Sequence, residues 1–393
     1  MGKNKKDGGI RMIIKNALIH DAINKEPYYG DIVIENGKLV SVGGFAGEGG
    51  DVIDASGLHA YPGFVDAHSH IGLDAYGGPT GGTFDINEMN DIVSPHLRGI
   101  DSYNAQDTAI PMALAGGVTT VAAGPGSANV FGGTFLAVKL YGNTVDEAVV
   151  DPSVAMKCAF GENPKRCYKD KFDSARMTTA AIFRQTLFEA RDYMLRKEAA
   201  GGDITKQPKF DMKSEALIPV LKREIPLKAH AHRADDIMTA LRIAKEFDLK
   251  ITIEHCTEGH LIVDELKEAN VPVAVGPTLT NASKVELLNK SWTTPGILAE
   301  AGLPVSIITD APVIPQQYLT LCAGLAVKAG MDPFKALQAI TINPARHIGI
   351  EDRVGSLEAG KDADVVLTSG DPMVSDTVVK YVIVDGKVLV RHE

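Results

Sequence analysis

Four short apolar runs in this chain end in histidine or aspartate, and that recurrence limits the fold more than any other feature. The first, Tyr61-Pro62-Gly63-Phe64-Val65, leads into Asp66-Ala67-His68-Ser69-His70. Residues 226–232 (Pro-Leu-Lys-Ala-His-Ala-His), 251–255 (Ile-Thr-Ile-Glu-His) and 304–310 (Pro-Val-Ser-Ile-Ile-Thr-Asp) follow in order. Each is strand-sized, rich in β-branched residues and followed by a helical pattern or a turn, as buried parallel strands are. In a strand, His68 and His70 at i and i+2 share one face, so both rings can converge on a single divalent metal. Metal-binding residue types at the C-terminal ends of successive strands are the arrangement by which a (β/α)8 barrel builds its active site. The expected class is therefore α/β, a TIM-like barrel.

The two chain ends read differently. Residues 12–19 and 31–42 hold strand-like runs, and Asn36-Gly37 sits between two of them, a strong hairpin signal. Residues 378–390 repeat the pattern around Asp385-Gly386. Strands without intervening helices do not fit a (β/α) wheel, so residues 1–60 and 351–393 are expected to pair into a small β-sandwich beside a barrel of residues 61–350. Helical spacing marks 104–116, 176–199, 234–247 and 331–341. The glycine-rich stretch around Tyr76-Gly77-Gly78-Pro79-Thr80-Gly81-Gly82, within 72–103, is long for a plain connection and reads as a lid or substrate loop as readily as an adaptable surface loop.

Composition narrows the function. A chain of 393 residues, 45% hydrophobic and 23% charged, can bury a sizeable core. A net charge of −10 argues against nonspecific nucleic-acid binding, and the longest apolar runs are strand-sized, so a membrane span is not expected. Cys158, Cys167, Cys256 and Cys322 are scattered without metal-type spacing, and no secretory pattern precedes the first strand; a cytoplasmic setting is expected.

These segments, with Gly-Gly-Val-Thr-Thr-Val at 116–121, Thr-Asp-Ala-Pro at 309–312, Asn343-Pro344-Ala345-Arg346 and the tail from Gly355 to Val366, resemble the amidohydrolase superfamily. The resemblance is to the branch of imidazolonepropionase-like proteins, prolidase-like enzymes and N-acetylglucosamine-6-phosphate deacetylases, and it spans nearly the whole chain. It implies one or two divalent metals per chain, zinc first among candidates that include iron, manganese and nickel. His68 and His70 with Asp310 would hold one ion, and His230 and His255 a second. Asp310 would also take a proton from the attacking water and pass it to the leaving amine. For the bridging anion, Gly161-Glu162-Asn163 resembles the Glu-Gly-Pro strand end of the deacetylases and favours Glu162. The rival is a CO2-derived carbamate on Lys157, which lies on the opposite alternation from Cys158, Phe160 and Glu162.

His232 shares a face with His230 and reads either as a residue reaching substrate or the second metal, or as a polar supporting histidine. Arg233, Lys165 and Arg98 are candidates for an anionic substrate group. Ring-opening and nucleobase-deaminating relatives carry a glutamate three residues after the fifth-strand histidine, where this chain has Arg233. The expected activity is therefore hydrolysis of an open amide, dipeptide or N-acyl bond in a small molecule. A deaminase or cyclic-amide hydrolase, and a non-catalytic member of the fold, are the alternatives. The resemblance also implies homo-oligomers as a possibility.

Overall fold

The structure, a computed structural model, describes residues 11–47, 49–74, 85–171 and 175–392. The glycine-rich stretch 76–82, which reads as a lid or substrate loop as readily as a surface loop, lies outside the described residues.

Five strands come first: β1 (Arg11–Ile19), β2 (Tyr28–Glu35), β3 (Lys38–Gly44), β4 (Asp51–Asp54) and β5 (His59–Pro62). Asn36 and Gly37 both take positive φ, 52° and 78°, so Glu35 pairs with Lys38 across a two-residue turn that β-branched residues would resist. The last strands are β14 (Val365–Thr368), β15 (Val379–Val384) and β16 (Lys387–Arg391), with Asp385-Gly386 making the same kind of turn. All eight form one sheet in the order β16-β15-β14-β5-β1-β2-β3, with β4 beside β1. The sheet curls on itself, and the Leu39 amide reaches the Lys361 carbonyl at 2.9 Å. Inside lie Met12, Ile14, Ile32, Ile34, Val365, Leu367 and Ile383, all buried.

Between these ends runs the barrel: β6 (Phe64–Ser69), β7 (Val118–Ala123), β8 (Phe131–Lys139), β9 (Val149–Ala159), β10 (Leu227–Ala231), β11 (Ile251–His255), β12 (Val273–Val275) and β13 (Val305–Ile307). They neighbour one another in chain order. The TIM-like barrel departs from an all-parallel (β/α)8 wheel at one strand, because β8 runs antiparallel to both β7 and β9. Only residues 124–130 join β7 to β8, too few for the helical crossover that a parallel neighbour requires. The 176–200 and 234–247 helices lie where apolar spacing predicts them, whereas the 104–116 pattern forms a helix only over Ala109–Ala115 and the 331–341 pattern only over Pro333–Gln338.

The seam between the first and last barrel strands is stitched by Asp66, which is fully buried. Its Oδ2 accepts from the Thr309 amide and hydroxyl at 3.0 and 2.6 Å and from Gln316 Nε2 at 2.6 Å, while Oδ1 accepts from the His68 amide at 3.0 Å. Burial raises its carboxyl to about 6 against those bonds. This aspartate thus sets the first strand's histidines beside the residues that follow the eighth strand.

A second buried carboxylate cluster joins barrel to sandwich. Lys139, at the end of β8, is 2.7 Å from Asp364 and 3.2 Å from both Asp362 and Asp385. Burial disfavours its ammonium, but the three acids outweigh burial and hold it above the ordinary lysine value. Lys139→Met would leave buried Asp364 without its cation, beside Asp362, which keeps Lys38 and Arg353, and half-exposed Asp385. The expected cost is about 3–5 kcal/mol of stability, as for one-sided removal from a buried ion pair. Denaturant unfolding checks this, and a loss below about 1 kcal/mol would exclude it.

Candidate metal centre

The C-terminal ends of the parallel strands bring two groups of donors together: His68, His70 and Asp310, and His230, His232 and His255. In each group the ligand atoms lie within 4.8 Å of one another. The groups adjoin, with the His68 and His255 ring centroids 5.0 Å apart and those of His230 and His255 at 4.3 Å. His255 and Asp310 adopt positive φ, 72° and 55°, backbone that non-glycine residues seldom take and that clusters at functional sites.

The hydrogen bonds fix which ring nitrogen is free. His70 Nδ1 donates to the Gly124 carbonyl at 2.7 Å, and His255 Nδ1 to the Gly276 carbonyl at 2.8 Å. His68 Nδ1 is 2.7 Å from Glu254 Oε2. A neutral imidazole that donates from Nδ1 carries a bare lone pair on Nε2. His255 Nε2 is buried without a hydrogen-bond partner among the described residues, and His70 Nε2 faces Asp310 Oδ1 at 3.2 Å, two electron-rich atoms that a cation between them would reconcile. Burial pushes His68, His230, His232 and His255 well below the ordinary imidazole value, so they are neutral, the ligand form, near pH 7. This donor set fits a divalent metal in the first group and a second in the other.

Lys157 reaches the junction. Its Nζ is 3.0 Å from His68 Nε2, it is fully buried, and burial lowers its amine to about 8. Ala155 and Lys157 face the barrel interior, where Lys157 Nζ lies 5.3 Å from the centre of the Phe135 ring. Cys158 and Phe160 face the helices, Phe160 stacking on Phe183 at 5.1 Å. The alternation along β9 is thus as the sequence implies, but its inward face is the one that carries Lys157.

Glu162, expected as the bridging ligand, does not join either group. It opens the helix Glu162–Cys167 beyond the end of β9, and its carboxylate pairs with Arg176 at 2.7 Å and Lys165 at 3.5 Å, about a third exposed. Glu162→Gln is accordingly expected to leave metal content per chain unchanged in elemental analysis; loss of an ion would return this residue to the site.

The other sequence candidates divide. His232 is buried in the second group, its Nδ1 2.7 Å from the Thr257 hydroxyl and its Nε2 3.8 Å from Glu286 Oε1. Arg233 is turned outward and forked onto Asp235 at 2.9 Å, Lys165 pairs with Glu162, and exposed Arg98 bridges through its backbone to Thr134, partway along β8. None of these three cations lies within the two donor groups. The cation at the second group is Lys284, 3.0 Å from both Asn163 Oδ1 and Glu286 Oε1. Gly161, at φ 82°, makes room for Glu286, whose Oε2 would lie 2.8 Å from a Cβ there. Sequence reasoning missed Lys284, Glu286 and Asn163 because they sit on connections after strands, where no periodicity marks a direction.

A sequence model of the amidohydrolase family matches residues 60–389, and the chain belongs to that family. It is a hydrolase fold whose members typically bind divalent metal. Among curated relatives, Amidohydrolase tasK of Hapsidospora irregularis is 28% identical over 98% of this chain; the chain spans 44% of that relative's length. A solved amidohydrolase from Thermotoga maritima MSB8 is 40% identical with a TM-score of 0.92, covering 97% of this chain and 100% of that one. A prolidase solved with N-methylphosphonate-L-proline has the same fold, TM-score 0.63 over 97% of this chain and 100% of its own, at 17% identity. No helix among the described residues is long and apolar enough to cross a membrane.

Proposed function

We propose that this protein is a metal-dependent hydrolase of carbon–nitrogen bonds in small open amides, of the dipeptidase or N-acyl amidase kind. The observation that carries it is the pair of donor groups meeting at Lys157, with Asp310 3.2 Å from His70 and 3.6 Å from His68. Divalent metals held by these donors would polarise the scissile carbonyl and lower the pKa of the attacking water. Lys157 is the favoured bridging group: its neutral amine attacks CO2, forming an N–C bond and releasing a proton, and the resulting carbamate supplies the anion that two cations require.

Asp310 does the proton work. Burial alone would raise its carboxyl, but the groups facing it, His70, His68 and the Lys157 amine, outweigh that and hold it below the ordinary carboxylate value. It therefore stands ionised at neutral pH, ready to accept the water's proton and return it to the departing nitrogen. His232 stands beside the second donor group and is the chain's candidate for orienting substrate or completing that group.

An anionic substrate group loses two of its expected carriers, since Arg233 and Lys165 each have a carboxylate partner of their own. The reading therefore rests on bond type and not on substrate charge.

Metal content of the purified protein, measured with amine release from a panel of dipeptides and N-acyl amino acids and with ammonia release from cyclic amides and aromatic amines, tests the proposal. About two ions per chain with amine release supports it. Ammonia release would favour the deaminase reading, and absence of bound metal would favour a non-catalytic member of the fold.

A further inference from the structure

Beneath the donor groups, inside the barrel, lies a charged cluster that the reaction above does not use. Thr252 and Glu254 share the inward face of β11, and Lys228 and His230 that of β10, with Lys228 paired in register to Thr252 and to Lys157. Glu254 is fully buried, accepts three hydrogen bonds and pairs with one ammonium. Oε2 takes His68 Nδ1 at 2.7 Å and is ion-paired with Lys228 Nζ at 2.8 Å; Oε1 takes Thr252 Oγ1 at 2.7 Å and His347 Nε2 at 2.7 Å. Three hydrogen bonds and an ion pair, shared between its two oxygens, fix the orientation of this carboxylate.

The donors come from three separate places, strands β6 and β10 and the helix Ile342–His347, besides β11 itself. If Glu254 only neutralised Lys228, it would not need His68 at 2.7 Å, nor two further donors on its other oxygen. We propose that Glu254, clamped by Lys228 and His347, is a positioning residue that holds His68 in the tautomer and orientation needed to bind metal through Nε2. It supports the first donor group and makes no such bond to the second. The proposal rests on the metal-site reading above and extends it to residues that never touch substrate.

Its signature is selectivity between the two groups. Metal-free protein is titrated with Co2+ against a competing chelator, with the cobalt absorption spectrum followed, for the parent, Glu254→Gln and the double variant Lys228→Met with Glu254→Met. The double variant replaces the buried pair by apolar side chains of similar length, which proteins commonly tolerate where a lone buried charge is not. Both variants are expected to bind one class of Co2+ about 10–100-fold more weakly, with a changed spectrum for that class, and the other as the parent does.

Parent-like binding in either folded variant would overturn the proposal while leaving the metal reading intact. Equal weakening of both classes would overturn it too, because a merely structural role predicts that result. A parent that takes up no Co2+ would remove the metal reading and this proposal together.

Discussion

Lys157→Ala is expected to lower kcat/KM by about 10²–10³-fold, the order lost when one preorganised charge is removed from a site. The argument starts from burial. An ammonium with no accessible surface is penalised, and here burial outweighs Asp310 and Glu254, bringing the amine down to about 8. Near pH 8 roughly half of such amines are unprotonated, and only that form can attack CO2. At 3.0 Å from His68 Nε2, a carbamate on this nitrogen would stand between the donor groups.

Two further results should accompany the loss. Metal per chain should fall, and a short carboxylate such as formate or acetate, able to enter the space left by the side chain, should restore part of the rate. Protein stripped of metal and CO2 should recover faster with metal plus bicarbonate than with metal alone. If Lys157→Ala keeps its metals and at least a tenth of the parent rate, the lysine is a packing residue and the bridge lies elsewhere.

The contrast between Lys157 and Glu162 shows where the sequence is legible and where it stops. Strand ends are legible: His68, His230, His255 and Asp310 lie on or just beyond β6, β10, β11 and β13 because short β-branched runs with ligand-type termini have few other uses in a barrel. The hairpins at Asn36-Gly37 and Asp385-Gly386 are legible because two consecutive left-handed residues demand such dipeptides. The face of a strand buried on both sides is not. Along β9 both Cys158 and Lys157 are fully buried, so hydrophobicity favours the cysteine's face as the interior while the interior in fact holds the lysine.

Polarity within the barrel is equally hidden. Glu254 and Lys228 occur in apolar runs, and nothing in their spacing says that they meet each other across adjacent strands. The reversal of β8 has the same origin, since only the short link after β7 records it. Asp66, read simply as part of an Asp-x-His-x-His motif, proves to be the residue that joins the two edges of the barrel, a role visible only once β13 is placed.

Asp310→Asn tests the proton transfer itself. Asparagine keeps an oxygen toward the donor group but cannot accept a proton, so kcat is expected to fall about 10²–10⁴-fold while elemental analysis shows metal retained. The pH dependence has a definite sign. The Asp310 carboxyl lies below its ordinary value because His70, His68 and Lys157 around it together outweigh burial. The base is therefore fully ionised at and above neutral pH, and its contribution is lost only as pH falls through that lowered value. The ratio of parent to variant kcat should stay constant between about pH 6 and 9, narrowing only once the pH has fallen below the usual carboxylate value near 4. A ratio that grows across pH 6–9 would assign the proton transfer to a group titrating there and not to Asp310. A variant retaining a tenth or more of parent kcat would remove the aspartate from the chemistry altogether.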